Sequence, residues 1–154
     1  MSQADEQKKI QDILSQYPTK RAATLPLLYM AQEKFGYISM EGAQWVASFV
    51  DISVTEVLET ASFYSLFHKK PVGKNKIRVC GTVSCALLGA RAVGEKVCQT
   101  TGIKNSGESS QDGKFHFEYV ECLGYCDQAP AMQVNKKTYK KISPEKIEKV
   151  LKEY

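Results

Sequence analysis

The sequence predicts an α+β protein in two parts, an N-terminal helical bundle followed by a small mixed α/β domain. Two observations support this arrangement. The first part shows the three-to-four-residue apolar spacing of helices, and short β-prone runs follow it. A segment rich in turn-forming residues, 71–75, separates the two patterns. We therefore expect a helical bundle over residues 1–70 and a second domain over residues 75–154.

The composition is that of an ordinary folded protein. The 154 residues are 43% hydrophobic and 25% charged, unlike the polar, aromatic-poor profile of a disordered chain. The apolar stretch from Leu25 to Ala31 is far shorter than the ~20 residues of a membrane helix, and the N-terminus lacks a secretory signal pattern. The net charge of +4 is spread along the chain, so we expect neither nucleic-acid binding nor direct membrane insertion.

Helices are predicted throughout the first part, and each has a recognisable start or stop. The first ends before Pro18, and the second ends at Gly36, a residue suited to a helix C-terminus. Ser39 is expected to cap the third helix, and Ser53 with Glu56 has the spacing of a capping box for the fourth. The apolar positions of these helices are Ile10, Ile13, Leu14 and Tyr17; Leu25, Leu28, Ala31 and Phe35; Trp45, Val46, Phe49 and Val50; and Val57, Leu58 and Ala61.

The second part shows the order β-α-β, then a hairpin, then a helix. Residues 77–80 form a short β-prone run, residues 86–101 are predicted to form one helix, and residues 115–119 alternate like a strand after a polar loop. Residues 131–140 suit a hairpin, and Ser143 with Pro144 is expected to cap and start the last helix. The helix over 86–101 would place one set of side chains on a common side: Leu87, Ala90, Val93 and Val97.

Four of the five cysteines form two close pairs. Cys80 and Cys85 are spaced C-x4-C, and Cys122 and Cys126 are spaced C-x3-C. The number of cysteines is odd and no export signal is present, so bound metal or redox chemistry is a better interpretation than structural disulfide bonds. Each pair begins where a predicted strand ends, and neighbouring loops at one edge of a sheet can face each other. The four thiolates are therefore expected to enclose one site.

Four thiolates suit more than one inorganic group. A [2Fe-2S] cluster takes four cysteines, two on each iron, whereas structural zinc also accepts four thiolates from pairs of similar spacing. The spacing of the cysteines does not distinguish a [2Fe-2S] cluster from structural zinc. A thiol–disulfide enzyme is a third alternative, although the C-x-x-C motif of thioredoxin is absent. Gly81 and Gly124 favour the cluster, because small residues let backbone N–H groups point at the sulfurs. A helix beginning just after Cys85 would add its positive end.

Several segments match, in order, the motifs of a known family. The most specific is Val120–Pro130, with the sequence VECLGYCDQAP. The others are Tyr29–Tyr37, Ser62–Phe67, Pro71–Gly73, Ile77–Gly89, Asp112–Phe115 and Val134–Asn135. Together they resemble the thioredoxin-like [2Fe-2S] ferredoxin family, which supplies a subunit of NADH:quinone oxidoreductase (complex I) and is also found in NAD-linked hydrogenases and formate dehydrogenases.

The resemblance implies a fold, a ligand set and a partner. The second domain would be thioredoxin-like, with Cys80 and Cys85 on one iron and Cys122 and Cys126 on the other. The chain would carry electrons as a subunit of the oxidoreductase, docked on a flavoprotein subunit that binds NADH and FMN. Its expected location is the cytoplasm, peripheral to the inner membrane through the complex.

The chain itself is not expected to bind NADH. It contains no Gly-rich dinucleotide fingerprint and no P-loop. It would therefore act as an enzyme only within the assembled complex. Two alternatives to this assignment stay open: the equivalent subunit of a hydrogenase or formate dehydrogenase, and, from another class, a zinc-stabilised interaction module.

The remaining notable residues are expected to be structural. Cys98 lies within a predicted helix and is interpreted as a buried thiol. His68 and His116 are interpreted as ordinary surface or strand residues, and the aromatic segment 63–67 is expected to pack in the core. The basic cluster near the hairpin is interpreted as a solvated edge, formed by Lys136, Lys137, Lys140 and Lys141.

Overall fold

The computed structural model describes residues 3–154, which form two compact units. The first unit ends at Pro71, and the second covers Val72–Tyr154. Each unit has its own hydrophobic core. Within the described residues, no helix is both long enough and apolar enough to cross a membrane.

The first unit is helical, with its helix ends fixed by the residues that the sequence singles out. Gly36 has a φ of 82° and ends the second helix in the left-handed conformation. The Ser39 hydroxyl accepts a hydrogen bond from the Gly42 N–H, and Ser53 and Glu56 form a complete capping box. The helices are α1 (Gln3–Ser15), α2 (Thr24–Phe35), α3 (Met40–Ala47) and α4 (Val54–Phe63), with a 3-10 turn at Lys20–Ala23.

The end of the first unit differs from the sequence prediction. The expectation that the aromatic segment 63–67 packs in the core is largely wrong, because Phe63 is 82% exposed and only Phe67 within the segment is fully buried. His68 is buried rather than a surface residue. The third helix is also shorter than predicted: it ends at Ala47, before two of the apolar positions assigned to it.

The second unit is built on a five-stranded mixed sheet in the order β2-β3-β1-β4-β5. The central strands β1 and β3 are parallel, and the other neighbouring pairs are antiparallel. Parallel strands need a long crossover, which the two helices α5 and α6 supply. The strands are β1 (Asn75–Cys80), β2 (Glu108–Ser109), β3 (Phe115–Val120), β4 (Met132–Val134) and β5 (Lys137–Tyr139), and the helices are α5 (Val83–Leu87), α6 (Ala90–Thr101) and α7 (Pro144–Leu151).

The core of the second unit lies between the sheet and α6 and α7. Helix α6 contacts β1, β3 and α7. The alternating strand residues predicted for β3 supply Phe115 and Phe117 to this core. The fully buried side chains of β1, β4, α6 and α7 complete it: Ile77, Val79, Met132, Val134, Val93, Val97 and Ile147.

The single helix predicted over residues 86–101 is instead two helices. Helix α5 ends at Leu87 and α6 begins at Ala90, because Gly89 has a φ of 96° that interrupts the helical backbone. The break leaves Leu87 82% exposed, whereas the rest of its predicted apolar side is buried. Two further details differ: the polar loop contains the short strand β2, and the side chain of Ser143 makes no capping hydrogen bond to α7.

The chain enters β1 through a close approach to β3 at Gly73. Its N–H donates to Ser109 Oγ at 3.0 Å, and a Cβ atom added at this position would overlap the backbone carbonyl of Phe115. Because that obstacle is backbone rather than a mobile side chain, the segment at Gly73 would have to move away from β3 to admit a methyl group.

We expect Gly73→Ala to lower the free energy of unfolding by about 1–3 kcal/mol, since overpacking against backbone cannot relax through side-chain rotation. Chemical unfolding followed by circular dichroism measures this loss. Lys74→Ala, at the exposed neighbouring position, is the control and should change stability by less than about 0.5 kcal/mol. Equal stability of the two variants would contradict the prediction.

Candidate metal centre

Two loops at one edge of the sheet carry the two cysteine pairs. Cys80 is the last residue of β1, and β3 ends at Val120, shortly before Cys122. In the parallel register of these strands, Cys80 pairs with Val120. The carboxyl ends of both strands therefore lie side by side, and the two loops leave the sheet at the same edge, as the sequence predicts.

The first cysteine pair is buried where β1 leads into α5. Cys80 and Cys85 are each 2% exposed, and each thiol lies close enough to the other to affect its ionisation. Thr82 is the N-cap residue of α5, so the strand passes almost directly into this short helix. Cys85 consequently lies inside α5, and the expectation of a helix that begins after Cys85 is wrong.

The second cysteine pair is exposed and lies in a tight turn. The Sγ atoms of Cys122 and Cys126 are 3.9 Å apart. Gly124, between them, has a φ of 80°, and its N–H donates to Cys122 Sγ at 3.3 Å. Glycine reaches this left-handed conformation without the penalty that a side chain imposes. The expectation that Gly124 directs an N–H at a sulfur is therefore confirmed.

Gly81 does not play the part predicted for it. Its N–H donates to the Val120 carbonyl at 2.8 Å and so continues the hydrogen bonding between the ends of β1 and β3. The sulfur of Cys80 instead lies 3.2 Å from the Thr82 hydroxyl, within hydrogen-bond distance, and accepts from the backbone N–H groups of Thr82 and Leu123. These donors were not predicted from the sequence. The position of Thr82, two residues after a candidate ligand, could have suggested that its hydroxyl contacts the sulfur.

The surroundings of the thiols shift their pKa values in different directions. Burial opposes ionisation of Cys80, but its hydrogen-bond donors outweigh burial and hold the pKa of this thiol below its ordinary value. Burial raises the pKa of Cys85, although the backbone N–H of Ala131 acts against it. Hydrogen bonding with Cys122 raises the pKa of Cys126.

The two pairs are near enough to influence each other electrostatically. Negative charge at Cys126 contributes to the raised pKa of Cys85, and negative charge at Cys80 contributes to that of Cys126. The loops are also joined directly, because the Leu123 N–H of the second loop donates to Cys80 of the first. All four predicted site residues are thus brought together at one edge of the sheet.

Cys98 lies away from this group, on α6. It lines a cavity of about 690 Å³ together with Arg91, Gly94 and Tyr119. Burial raises the pKa of its thiol, so the neutral form is favoured. Cys98 is therefore a half-buried thiol of the helix, close to the interpretation drawn from the sequence.

The donor set fits an iron–sulfur cluster. Thiolates are the ligands that hold such clusters, in two pairs for two irons, and N–H groups aimed at the sulfurs offset the negative charge of the cluster. The N–H groups of Thr82, Leu123, Gly124 and Ala131 supply these hydrogen bonds here. Fold and site together define the class: a small α/β iron–sulfur protein preceded by helices.

Comparison with known proteins identifies the family. The family model for thioredoxin-like [2Fe-2S] ferredoxins matches residues 10–154, and the chain belongs to this family. The fold class and the cofactor inferred from the sequence are thereby confirmed, and the cofactor is a [2Fe-2S] cluster rather than zinc.

Relatives of the chain belong to an oxidoreductase complex. The chain is 38% identical over 144 residues to an NADH-quinone oxidoreductase component of Rickettsia bellii, covering 92% of this chain and 86% of that protein. It is 40% identical over 137 residues to NADH-quinone oxidoreductase subunit 2 of Thermus thermophilus, covering 88% of this chain and 75% of that protein. The resemblance seen in the sequence is therefore confirmed.

A solved structure has the same fold over most of the chain. It is the crystal structure of an NAD+-reducing [NiFe]-hydrogenase in the air-oxidized state, with a TM-score of 0.73 and 21% sequence identity. The match covers 88% of this chain but only 23% of the hydrogenase chain. At this level of identity, the likeness concerns the fold alone.

The glycine between the exposed cysteines offers a test of the loop geometry. Gly124→Ala places a side chain at a left-handed position, which costs about 1 kcal/mol, and turns the N–H away from Cys122 if the peptide relaxes. We expect lower iron content and weaker visible absorbance in the purified protein.

The matched control is Gly107→Ala. Gly107 has a φ of 88° and lies in the loop before β2, so its substitution carries a similar backbone penalty without touching a cysteine. This variant should lose comparable stability but keep its iron. If both variants lose iron equally, the Gly124 N–H has no special part in holding the site.

Proposed function

We propose that this chain is an electron-transfer subunit of NADH-quinone oxidoreductase whose [2Fe-2S] cluster is held by four cysteines. Cys80 and Cys85 would bind one iron, and Cys122 and Cys126 the other. The observation that carries the proposal is the meeting of both cysteine pairs at the shared edge of β1 and β3. The names of the relatives, all from NADH-quinone oxidoreductase, support the choice of complex.

The chain's residues determine how such a site behaves. When bound, a [2Fe-2S] cluster accepts and releases one electron at a time. The buried pair, Cys80 and Cys85, keeps one side of the site away from water, whereas Cys122 and Cys126 are exposed. The N–H donors stabilise the additional negative charge that accompanies reduction. No substrate bond is made or broken by these residues.

A partner is expected on the exposed side of the site. Helix α5 carries Cys85 on its buried face and presents Val83 and Leu87 to solvent, followed by exposed Leu88. Exposed apolar side chains grouped in this way mark interaction surfaces. We infer that they contact the flavoprotein subunit that binds NADH and FMN, because electrons must reach the cysteines over a short distance.

The assembly determines where the chain works. As a subunit of this complex, it is expected on the cytoplasmic side of the inner membrane, attached through other subunits. The equivalent subunit of an NAD+-reducing hydrogenase is the second candidate, favoured only by the shared fold at 21% identity. The relatives from Rickettsia bellii and Thermus thermophilus are 38% and 40% identical, which favours the first candidate.

The ligand assignment is tested by comparing two cysteines of different environment. We expect Cys126→Ser to lose or destabilise the cluster, because it removes one of four thiolates, and Cys98→Ser to leave the visible spectrum nearly unchanged. Iron and sulfide analysis and electron paramagnetic resonance of the reduced protein measure both effects. An all-cysteine binuclear signal is expected for the wild type. Equal loss of iron in both variants would refute the assignment.

The partner surface is tested by placing a charge on α5. We expect Leu87→Asp to weaken association with the flavoprotein subunit at least tenfold, since a carboxylate buried in an apolar contact costs more than about 1.4 kcal/mol. Co-purification and titration calorimetry with that subunit provide the measurement. Met40→Asp is the control, because Met40 is an exposed apolar residue at the start of α3 in the first unit. Unchanged binding by Leu87→Asp would exclude α5 from the interface.

A further inference from the structure

We propose that the Thr82 side chain is a positioning residue that raises the reduction potential of the cluster by donating a hydrogen bond to Cys80 Sγ. This inference rests on the proposed function, because it takes Cys80 as a ligand. Thr82 touches the ligand sulfur and is not itself a ligand. Its effect would therefore appear in the potential of the site rather than in the identity of the ligands.

The hydroxyl of Thr82 is directed at the sulfur and not at the helix that follows. Thr82 Oγ1 lies 3.2 Å from Cys80 Sγ. Thr82 is also the N-cap residue of α5, where a threonine hydroxyl ordinarily accepts a hydrogen bond from the first turn of the helix. Here the side chain makes no capping hydrogen bond. The Thr82 hydroxyl therefore does not stabilise the start of α5, and it contacts Cys80 instead.

The direction of this hydrogen bond follows from the chemistry of the ligand. A cysteine bound to iron is a thiolate and has no proton to donate. The hydroxyl of Thr82 then holds the only proton in the contact, so Thr82 donates and Cys80 accepts. Cys80 is 2% exposed, and hydrogen bonds to a charged acceptor are strong where water is excluded.

A donor at this position favours the reduced state. Reduction adds one electron and therefore one negative charge to the site, and no bond to Thr82 forms or breaks. The sulfur becomes a stronger acceptor as this charge spreads onto it, so the hydrogen bond stabilises the reduced form more than the oxidised form. Hydrogen bonds to cluster sulfurs are among the interactions that set reduction potentials. Removing the hydroxyl should therefore lower the potential.

The side chain of Thr82 can be changed without removing the other donors to Cys80. The N–H groups of Thr82 and Leu123 belong to the backbone and remain when the side chain is replaced. Thr82→Val keeps the branched shape and removes only the hydroxyl, and Thr82→Ser keeps the hydroxyl and removes only a methyl group. The two variants thus separate hydrogen bonding from packing.

The experiment is a redox titration of the reconstituted full-length protein, followed by electron paramagnetic resonance. We expect Thr82→Val to shift the reduction equilibrium several-fold toward the oxidised form, where a tenfold shift corresponds to about 59 mV for one electron. Thr82→Ser should restore most of the wild-type potential. Thr138→Val, a threonine on β5, is the matched control and should leave the potential unchanged.

The outcomes separate this inference from the proposed function. A Thr82→Val protein with full iron content and an unchanged potential would overturn the role of the hydroxyl, as would a Thr82→Ser protein that behaves like Thr82→Val. If the Thr82→Val protein does not retain its iron, Thr82→Ala is the replacement variant, because it removes the same hydroxyl and introduces a smaller side chain. We expect Thr82→Ala to lower the reduction potential in the same way. Failure of the proposed function shows differently: Cys80→Ser would then retain two irons and the wild-type spectrum.

Discussion

The parallel pairing of β1 with β3 is the constraint on which the site depends. Because Cys80 and Val120 occupy matching positions in the register, both strands end at the same level and their loops leave the sheet together. The pairing is continued past the strands by the hydrogen bond from the Gly81 N–H to the Val120 carbonyl. A shift of one residue between the strands would turn alternate side chains to the wrong face and separate the cysteine pairs.

Hydrogen bonding within the loops completes what the strand register begins. The N–H of Leu123 reaches from the second loop to Cys80 in the first, and Gly124 turns its N–H toward Cys122 within its own loop. These donors orient the sulfurs and compensate negative charge at the same time. The same backbone groups therefore position the sulfurs and offset their charge. This explains how so short a segment could supply half of the proposed metal centre.

Much of this arrangement was predictable from the sequence, and the exceptions have physical causes. Helix ends at Gly36 and Ser53 follow from local backbone preferences, and the four clustered cysteines follow from strand order. The break at Gly89 was missed because apolar spacing continues across it, and only the left-handed glycine interrupts the helix. The donors to Cys80 were missed because hydrogen bonds between loops depend on tertiary contacts that spacing does not reveal.

The unequal burial of the two cysteine pairs has a consequence for the durability of the site. Cys122 and Cys126 meet solvent, whereas Cys80 and Cys85 are covered by protein. Oxidants such as peroxide reach accessible thiolates first. With the proposed ligands, oxidative damage would therefore start at the C-x3-C turn, and a partner that covers this turn would protect the cofactor most.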